Sequence, residues 1–228
     1  MQALGYLRAD GRKGIRDVVI VAYLVECAHH TARRIVDLAD DPQVHLVGFP
    51  GCYPNDYAKR MMKALVAHPN VGGVVLLSLG CESFDREGLA AHAIASGRPV
   101  ETIVIQQAGG TKSAIAKGLE AVTRIRAQMA QKAVRVPLAL SDLVIGTICG
   151  GSDGTSGITA NPAVGRAFDR LVDAGATCIF EETGEMIGCE GPMAVRAATP
   201  DVADAITASI AKAETYYRAM GYGSFAPG

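Results

Sequence analysis

Three observations predict an α/β fold. β-Branched apolar runs alternate with amphipathic helical stretches along the chain, which argues for parallel strands joined by right-handed crossovers. The first of these runs is near-continuous, as in a strand buried on both faces. Glycine is abundant, with 26 of 228 residues, whereas aromatics are 5% and tryptophan is absent; small residues of this kind let helices pack closely onto a sheet. The class expected is two parallel-sheet βα units of Rossmann-like type, the second one incomplete. Residues 1–136 form an α/β domain with an arginine/glycine entry arm. Residues 137–228 form the first part of a second such domain.

The elements follow in order. Gly5 to Arg16 places arginines and lysines among glycines before any apolar run. It reads either as a solvated arm with an Asp10-Gly11 turn or as guanidiniums, Arg8 and Arg12 among them, able to fork onto a carboxylate or sulfonate. Val18 to Val25 is the first strand, ending in Glu26-Cys27-Ala28-His29-His30, with a helix from Thr31 to Ala39. Val44 to Val47 is the second strand and Asp56 to Ala67 its helix. Val71 to Leu79 is the third, ending in Gly80-Cys81-Glu82, with helix Arg86 to Ala95. Strand Val100 to Ile105 leads through Gln106–Thr111 into a long helix, Lys112 to Lys132. Pro137 and the apolar restart after Ser141-Asp142 mark the boundary. Strand Leu143 to Ile148, helix Ala163 to Ala174, strand Thr177 to Glu181 and helix Asp201 to Met220 complete the pattern. Two strands leave the second parallel sheet with an unpaired edge.

Composition narrows the function classes. Net charge is −1, so no basic field exists to hold nucleic acid or an anionic membrane. Polar or charged residues interrupt every stretch that could cross a bilayer. The opening Met1-Gln2-Ala3-Leu4-Gly5 lacks the basic region and apolar core of a signal peptide, and a cytoplasmic protein is expected. In that compartment the six cysteines are expected as thiols, metal ligands or catalytic groups.

The most informative stretch is Cys149-Gly150-Gly151-Ser152-Asp153-Gly154-Thr155-Ser156-Gly157-Ile158-Thr159-Ala160-Asn161-Pro162. It lies between a strand and a helix. Glycines allow close backbone approach to a ligand, and amides at a helix N-terminus favour an anion. A polar turn with Pro162 near the first helical position is the plainer reading. The crowd of cysteine, aspartate and hydroxyls favours an anion site, although neither nucleotide fingerprint is present.

Cys27, Cys52, Cys81 and Cys149 each follow the end of a predicted strand, the edge where parallel sheets place ligands. Cys27, Cys52 and Cys81 could therefore converge as ligands of an iron–sulfur cluster with one open iron, or of a single soft metal. Isolated cysteines are also common small core residues. His29 and His30 are candidate bases or ligands; being adjacent, they cannot share one helix face. Glu182 and Glu185 lie on the same side as the glycine loop and are candidates for metal ligation or proton transfer.

Several segments carry a family resemblance: Gly5-Tyr6…Arg8…Asp10-Gly11-Arg12…Gly14, Gly80-Cys81-Glu82, Gly109-Gly110-Thr111 and the Cys149–Pro162 stretch. In this order they resemble the altronate/galactarate dehydratase family, over essentially the whole chain. Asp17 stands where the family usually has asparagine. The resemblance implies an iron-assisted lyase removing water from sugar acids. A related branch, the sulfolactate sulfo-lyases, removes sulfite from 3-sulfolactate to leave pyruvate. The stretches Val21–His30 and Gly48–Pro54 are more similar to the large subunit of that branch. So is the lack of the family's small β-rich N-terminal domain, which is a separate subunit there. The family also continues past Gly228, which implies a shortened chain that needs the remainder for activity.

The reaction expected is β-elimination on a small anionic 2-hydroxy acid: sulfite release from 3-sulfolactate, alternatively sugar-acid dehydration. A non-catalytic assembly fragment of such an enzyme is the alternative of another class. Catalytic roles are expected for His29, His30, Glu182, Cys149 and Asp153. Substrate contacts are expected from Arg8, Arg12, Gly150, Gly151, Ser152, Ser156, Thr159 and Asn161, and metal ligation from Cys27, Cys52 and Cys81. The cofactor implied is iron, as Fe2+ or an iron–sulfur cluster. The partners implied are a separate small β-rich subunit and a homodimeric or hetero-oligomeric assembly.

Overall fold

A computed structural model describes residues 3–151 and 153–222. The chain divides into two compact units, residues 1–138 and 139–228. Its strands are β1 (Leu4–Leu7), β2 (Lys13–Gly14), β3 (Val18–Tyr23), β4 (Val44–Gly48), β5 (Val71–Ser78), β6 (Val100–Val104), β7 (Arg135–Pro137), β8 (Val144–Thr147) and β9 (Thr177–Phe180). Its helices are α1 (Glu26–Ala39), α2 (Asp56–Val66), α3 (Arg86–Ala95), α4 (Ile105–Ala108), α5 (Thr111–Lys132), α6 (Ala160–Asp173), α7 (Glu190–Val195) and α8 (Pro200–Ala219).

The first unit is built on a parallel sheet of order β4-β3-β5-β6. Successive side chains of a strand point to opposite faces, and β3 is apolar at every position but its last. Val19 and Val21 therefore pack with Ala28, Ala32 and Ile35 of α1 and with Ile125 of α5. Val18, Ile20 and Ala22 pack on the other face with Met62 and Val66 of α2 and with Leu89 and Ala93 of α3. The result is three layers with the sheet sealed between helices. The strand order has a consequence for ligands. The chain leaves β3 toward one helical layer and leaves β5 toward the other, so the carboxyl ends of this adjacent pair form a switch point, where such sheets bind ligands.

The helices fit their faces closely. Ala28, Thr31, Ala32 and Ile35 of α1 are buried at helical spacing, and sealing Ile35 alone contributes on the order of 1.5–3 kcal/mol. Across from it, Gly118 of α5 lies where a Cβ would sit 2.7 Å from Ile35 Cγ1.

The entry arm, open in sequence between a solvated segment and a set of ligand-binding guanidiniums, forms a strand pair. Tyr6 pairs with Gly14 and with Arg135, so β2-β1-β7 is a small antiparallel sheet. The arginine and glycine spacing concealed a strand whose partner is contributed from far along the chain. Helix α1 starts at Glu26 rather than Thr31, which puts Cys27, His29 and His30 in its first turns. Its N-cap, Val25, makes no side-chain cap hydrogen bond, so the usual polar start signal was absent.

The second unit has a two-stranded parallel sheet, β8-β9. Among its described residues only Ala176 and Ile210 are buried apolar groups. Val144, Ile148, Ile179 and Phe180, on or beside the strands, are about half exposed or more. No described helix is long and apolar enough to cross a membrane.

The contact between α1 and α5 is directly testable. Gly→Ala within a helix ordinarily gains about 1 kcal/mol. Gly118→Ala is expected to lose that advantage against fully buried Ile35, and Gly118→Val to cost about 1–3 kcal/mol by overpacking, read from urea unfolding midpoints. A stabilised Gly118→Val variant would contradict the close approach.

Candidate functional site

The carboxyl edge of the first unit's sheet gathers three loops. Phe49 donates its N–H to Tyr23 O at 3.0 Å, and Glu26 donates to Pro50 O at 3.0 Å, tying the loop after β3 to the loop after β4. Ser83 donates to Cys52 O at 2.9 Å, tying the loop after β4 to the loop after β5. Cys52 and Cys81 sit on these loops and Cys27 in the first turn of α1, all exposed. The loops are thus brought together, whereas the three sulfurs do not form a set within 4.8 Å of one another. His29 is near this edge, with Nδ1 3.3 Å from Glu26 Oε1 and its ring 4.9 Å from that of Tyr23. His30 is exposed.

Glu82 is the residue here that motif reading did not single out. It is only 9% exposed. Its Oε2 accepts the Gly80 N–H at 2.8 Å, while Oε1 is buried with no hydrogen-bond partner among the described residues. A buried, unfilled carboxylate oxygen is costly, and native proteins rarely keep one without a use. Burial pushes the Glu82 carboxyl up, but the Ser78 hydroxyl, the main-chain N–H groups of Gly80 and Glu82, and the Arg86 guanidinium outweigh it and hold it below its usual value. Gly80 has φ +124°, and a Cβ there would lie 2.6 Å from Gln106 Oε1; only glycine suits this turn. The signal available in the sequence was a carboxylate two residues past a strand-ending glycine.

The arm residues lie at the opposite, amino-terminal edge. Arg8 pairs with Asp17 at 2.8 Å and also donates to Pro69 O and Arg16 O. Arg12 pairs with Asp10 at 2.6 Å and donates to Ala67 O. Both guanidiniums are engaged with this chain's own acceptors.

In the second unit a different set comes together. Cys149 follows β8, while Glu182 and Glu185 follow β9. The Cys149 N–H donates to Glu182 Oε2 at 2.8 Å, and one ligand atom from each of Cys149, Glu182 and Glu185 lies within 4.8 Å of the others. No other such trio of histidine, cysteine or acidic groups occurs among the described residues. A thiolate with two carboxylates suits a borderline divalent ion such as Fe2+, so these residues fit a mononuclear iron better than a cluster.

The glycine loop is exposed. Asp153 accepts from Thr155 N at 3.0 Å and from Thr155 Oγ1 at 2.7 Å. These two donors, with Ser156, hold its carboxyl below the usual range, and Asp153 shapes the turn. The Asn161 N–H donates to Ser156 O, and Thr159 Oγ1 donates to Thr155 O. Added Cβ atoms at Gly150, Gly151, Gly154 or Gly157 would meet nothing within 4 Å, so no crowding among the described residues explains these glycines. Ser152 lies outside the described residues.

Comparison with known proteins bears on these sites. Residues 5–130 match the family model for the second domain of D-galactarate dehydratase/altronate hydrolase, and residues 140–225 the model for the C-terminal part of D-galactarate/altronate dehydratase. The chain is 33% identical over 208 residues to the β subunit of (2R)-sulfolactate sulfo-lyase from Chromohalobacter salexigens, covering 87% of this chain and 51% of that protein. It is 29% identical over 211 residues to altronate dehydratase of Bacillus subtilis, covering 87% and 42%. Against altronate dehydratase of Escherichia coli it is 31% identical over 202 residues, covering 81% and 39%. The chain spans about half or less of the length of these relatives.

Glu82 carries a pH signature. Its folded pKa is depressed, so its stabilisation is complete above the unfolded value near 4.5 and is lost as pH falls through the folded value. Glu82→Gln is expected to cost about 1–3 kcal/mol at pH 7, with the gap from the parent narrowing below about pH 4 in urea unfolding. A gap independent of pH would refute the ionised, buried carboxylate.

Proposed function

The chain belongs to the D-galactarate/altronate dehydratase family, and from that premise we propose that it provides part of a lyase carrying out β-elimination on a small anionic 2-hydroxy acid. The observation that carries this reading is the meeting of Cys149, Glu182 and Glu185 beside an open glycine loop at the carboxyl ends of β8 and β9. Relatives named sulfo-lyase and dehydratase agree with the same chemistry, since both break a bond β to a carboxylate. Sulfite release from 3-sulfolactate is the substrate reading preferred here. It is favoured by the wording of the strand-end stretches and by the relative named as a β subunit, which also suggests a small separate partner subunit and a multi-subunit enzyme. Dehydration of altronate or galactarate is the alternative, with equal support from the relatives.

The residues divide the work as follows. Cys149, Glu182 and Glu185 would hold a ferrous ion. When bound, that ion supplies Lewis acidity toward the 2-hydroxyl and carboxylate of the substrate. Main-chain amides of Gly150, Gly151 and the turn held by Asp153 present dipoles to the anionic group, with Ser156, Thr159 and Asn161 adding hydrogen bonds. The candidate bases for the proton are His29 and His30 in the first unit and Glu182 in the second. Developing negative charge on the enolate is the demanding step, so fixed donors there should dominate the rate.

The test is turnover by the assembled enzyme, purified without oxygen and supplied with ferrous iron. Pyruvate and sulfite are expected from 3-sulfolactate, with Glu182→Gln lowering kcat by about 10²–10⁴-fold. Turnover of altronate or galactarate alone would overturn the preferred substrate. Normal turnover by both Cys149→Ala and Glu182→Gln would favour a non-catalytic assembly role for this chain.

A further inference from the structure

The loops of the carboxyl edge leave the other edge of the first unit's sheet unexplained. There a cavity of about 310 Å³ opens among the arm, the start of β5, the turn before β6 and the end of α5. Its cationic lining is Arg8, Arg98 and Lys132, and its one carboxylate is Asp17, which Arg8 already pairs at 2.8 Å.

Arg98 is the unusual group. It is 3% exposed and donates to the carbonyls of Val71, Ser96, Ala67 and His68. Among the described residues none of its acceptors is a carboxylate, so its hydrogen bonds all go to main-chain dipoles. Arginine has five N–H donors, and four contacts to acceptors are made among the described residues. Burial and the neighbouring guanidiniums of Arg8 and Arg12 disfavour its charge, while Asp10 and Asp17 favour it. Lys132, at the last turn of α5, is exposed and has no hydrogen-bond or ion-pair partner among the described residues. Buried charges are normally paired. The rest of the wall is largely apolar, with Met129, Pro99 and Val134.

We propose that this cavity is a binding site for a small organic acid anion, whose carboxylate meets Arg98 and Lys132 and whose apolar body lies against Met129, Pro99 and Val134. The mixed wall selects an organic acid over a bare inorganic anion, because a fully hydrated phosphate gains nothing from the apolar side. Strand β3 is six residues long, so the cavity lies about 20 Å from the thiol-bearing loops of the same sheet. The anion held here is thus distinct from anything held at the thiol-bearing loops of that sheet. The proposal does not depend on the lyase reading.

Isothermal titration with benzoate tests it, with benzyl alcohol and inorganic phosphate as comparators. Benzoate is expected to bind in saturable fashion, with the alcohol and phosphate each at least tenfold weaker. Lys132→Glu reverses an exposed charge without touching the core and is expected to weaken benzoate about tenfold, a change of 1.4 kcal/mol. Ala133→Phe keeps every charge but fills the cavity and is expected to abolish binding, with circular dichroism confirming that each variant is folded. Absence of benzoate binding, phosphate binding as tightly as benzoate, or retention of full affinity by folded Lys132→Glu and Ala133→Phe would each overturn the proposal.

Discussion

The first unit rests on the double-sided burial of β3. A six-residue strand with apolar side chains toward both helical layers is held in register by packing, because a slip by one residue would exchange the face of Val19 and Val21 with that of Val18, Ile20 and Ala22, each fitted to different helices. Held between β4 and β5, it fixes where three loops emerge. The same constraint separates the two edges of the sheet. Groups that follow strands, such as Cys27, Cys52, Cys81 and Glu82, gather at one edge. Groups that precede strands, such as Asp17 and Arg98, gather at the other, where Arg8 of the arm pairs with Asp17.

That separation changes the meaning of the arginine arm. Side chains suited to forking onto a substrate carboxylate are turned onto Asp10, Asp17 and main-chain carbonyls, where they fasten the antiparallel β2-β1-β7 sheet to the amino ends of β3 and β5. The second unit follows another logic. Its sheet has only two strands and little of it is buried, yet the tie from the Cys149 N–H to Glu182 gives the strand ends a defined polar arrangement. Glycines that meet nothing nearby and apolar side chains left open both suit a surface that further protein or ligand approaches closely.

Much of this was legible in the sequence. Near-continuous apolar runs marked β3 and β5, and the strand–glycine–helix succession marked the Cys149 loop, because both signals are local. What escaped was non-local or unsignalled. β1 pairs with β7 across some 130 residues of chain (Tyr6 with Arg135), which no window of periodicity registers. Helix α1 begins at a valine cap with no hydrogen-bonding side chain, so the spacing places its start at Thr31 rather than Glu26. The cysteines were legible as strand-end groups, but their sulfur separations depend on side-chain directions that spacing does not encode. For that reason Cys149 with two glutamates forms the tight donor set, and Cys27, Cys52 and Cys81 do not. Arg98 escaped because a lone arginine before a strand is indistinguishable, in sequence, from a solvated one.

Central to the account is that the donor set for chemistry is Cys149 with Glu182 and Glu185 at the carboxyl ends of β8 and β9. Anomalous diffraction at the iron edge, from crystals grown without oxygen in ferrous iron, addresses it directly. The account predicts a single peak within bonding distance of Cys149 Sγ and the two carboxylates. A peak lying instead among the sulfurs of Cys27, Cys52 and Cys81, or no peak at Cys149, would contradict it.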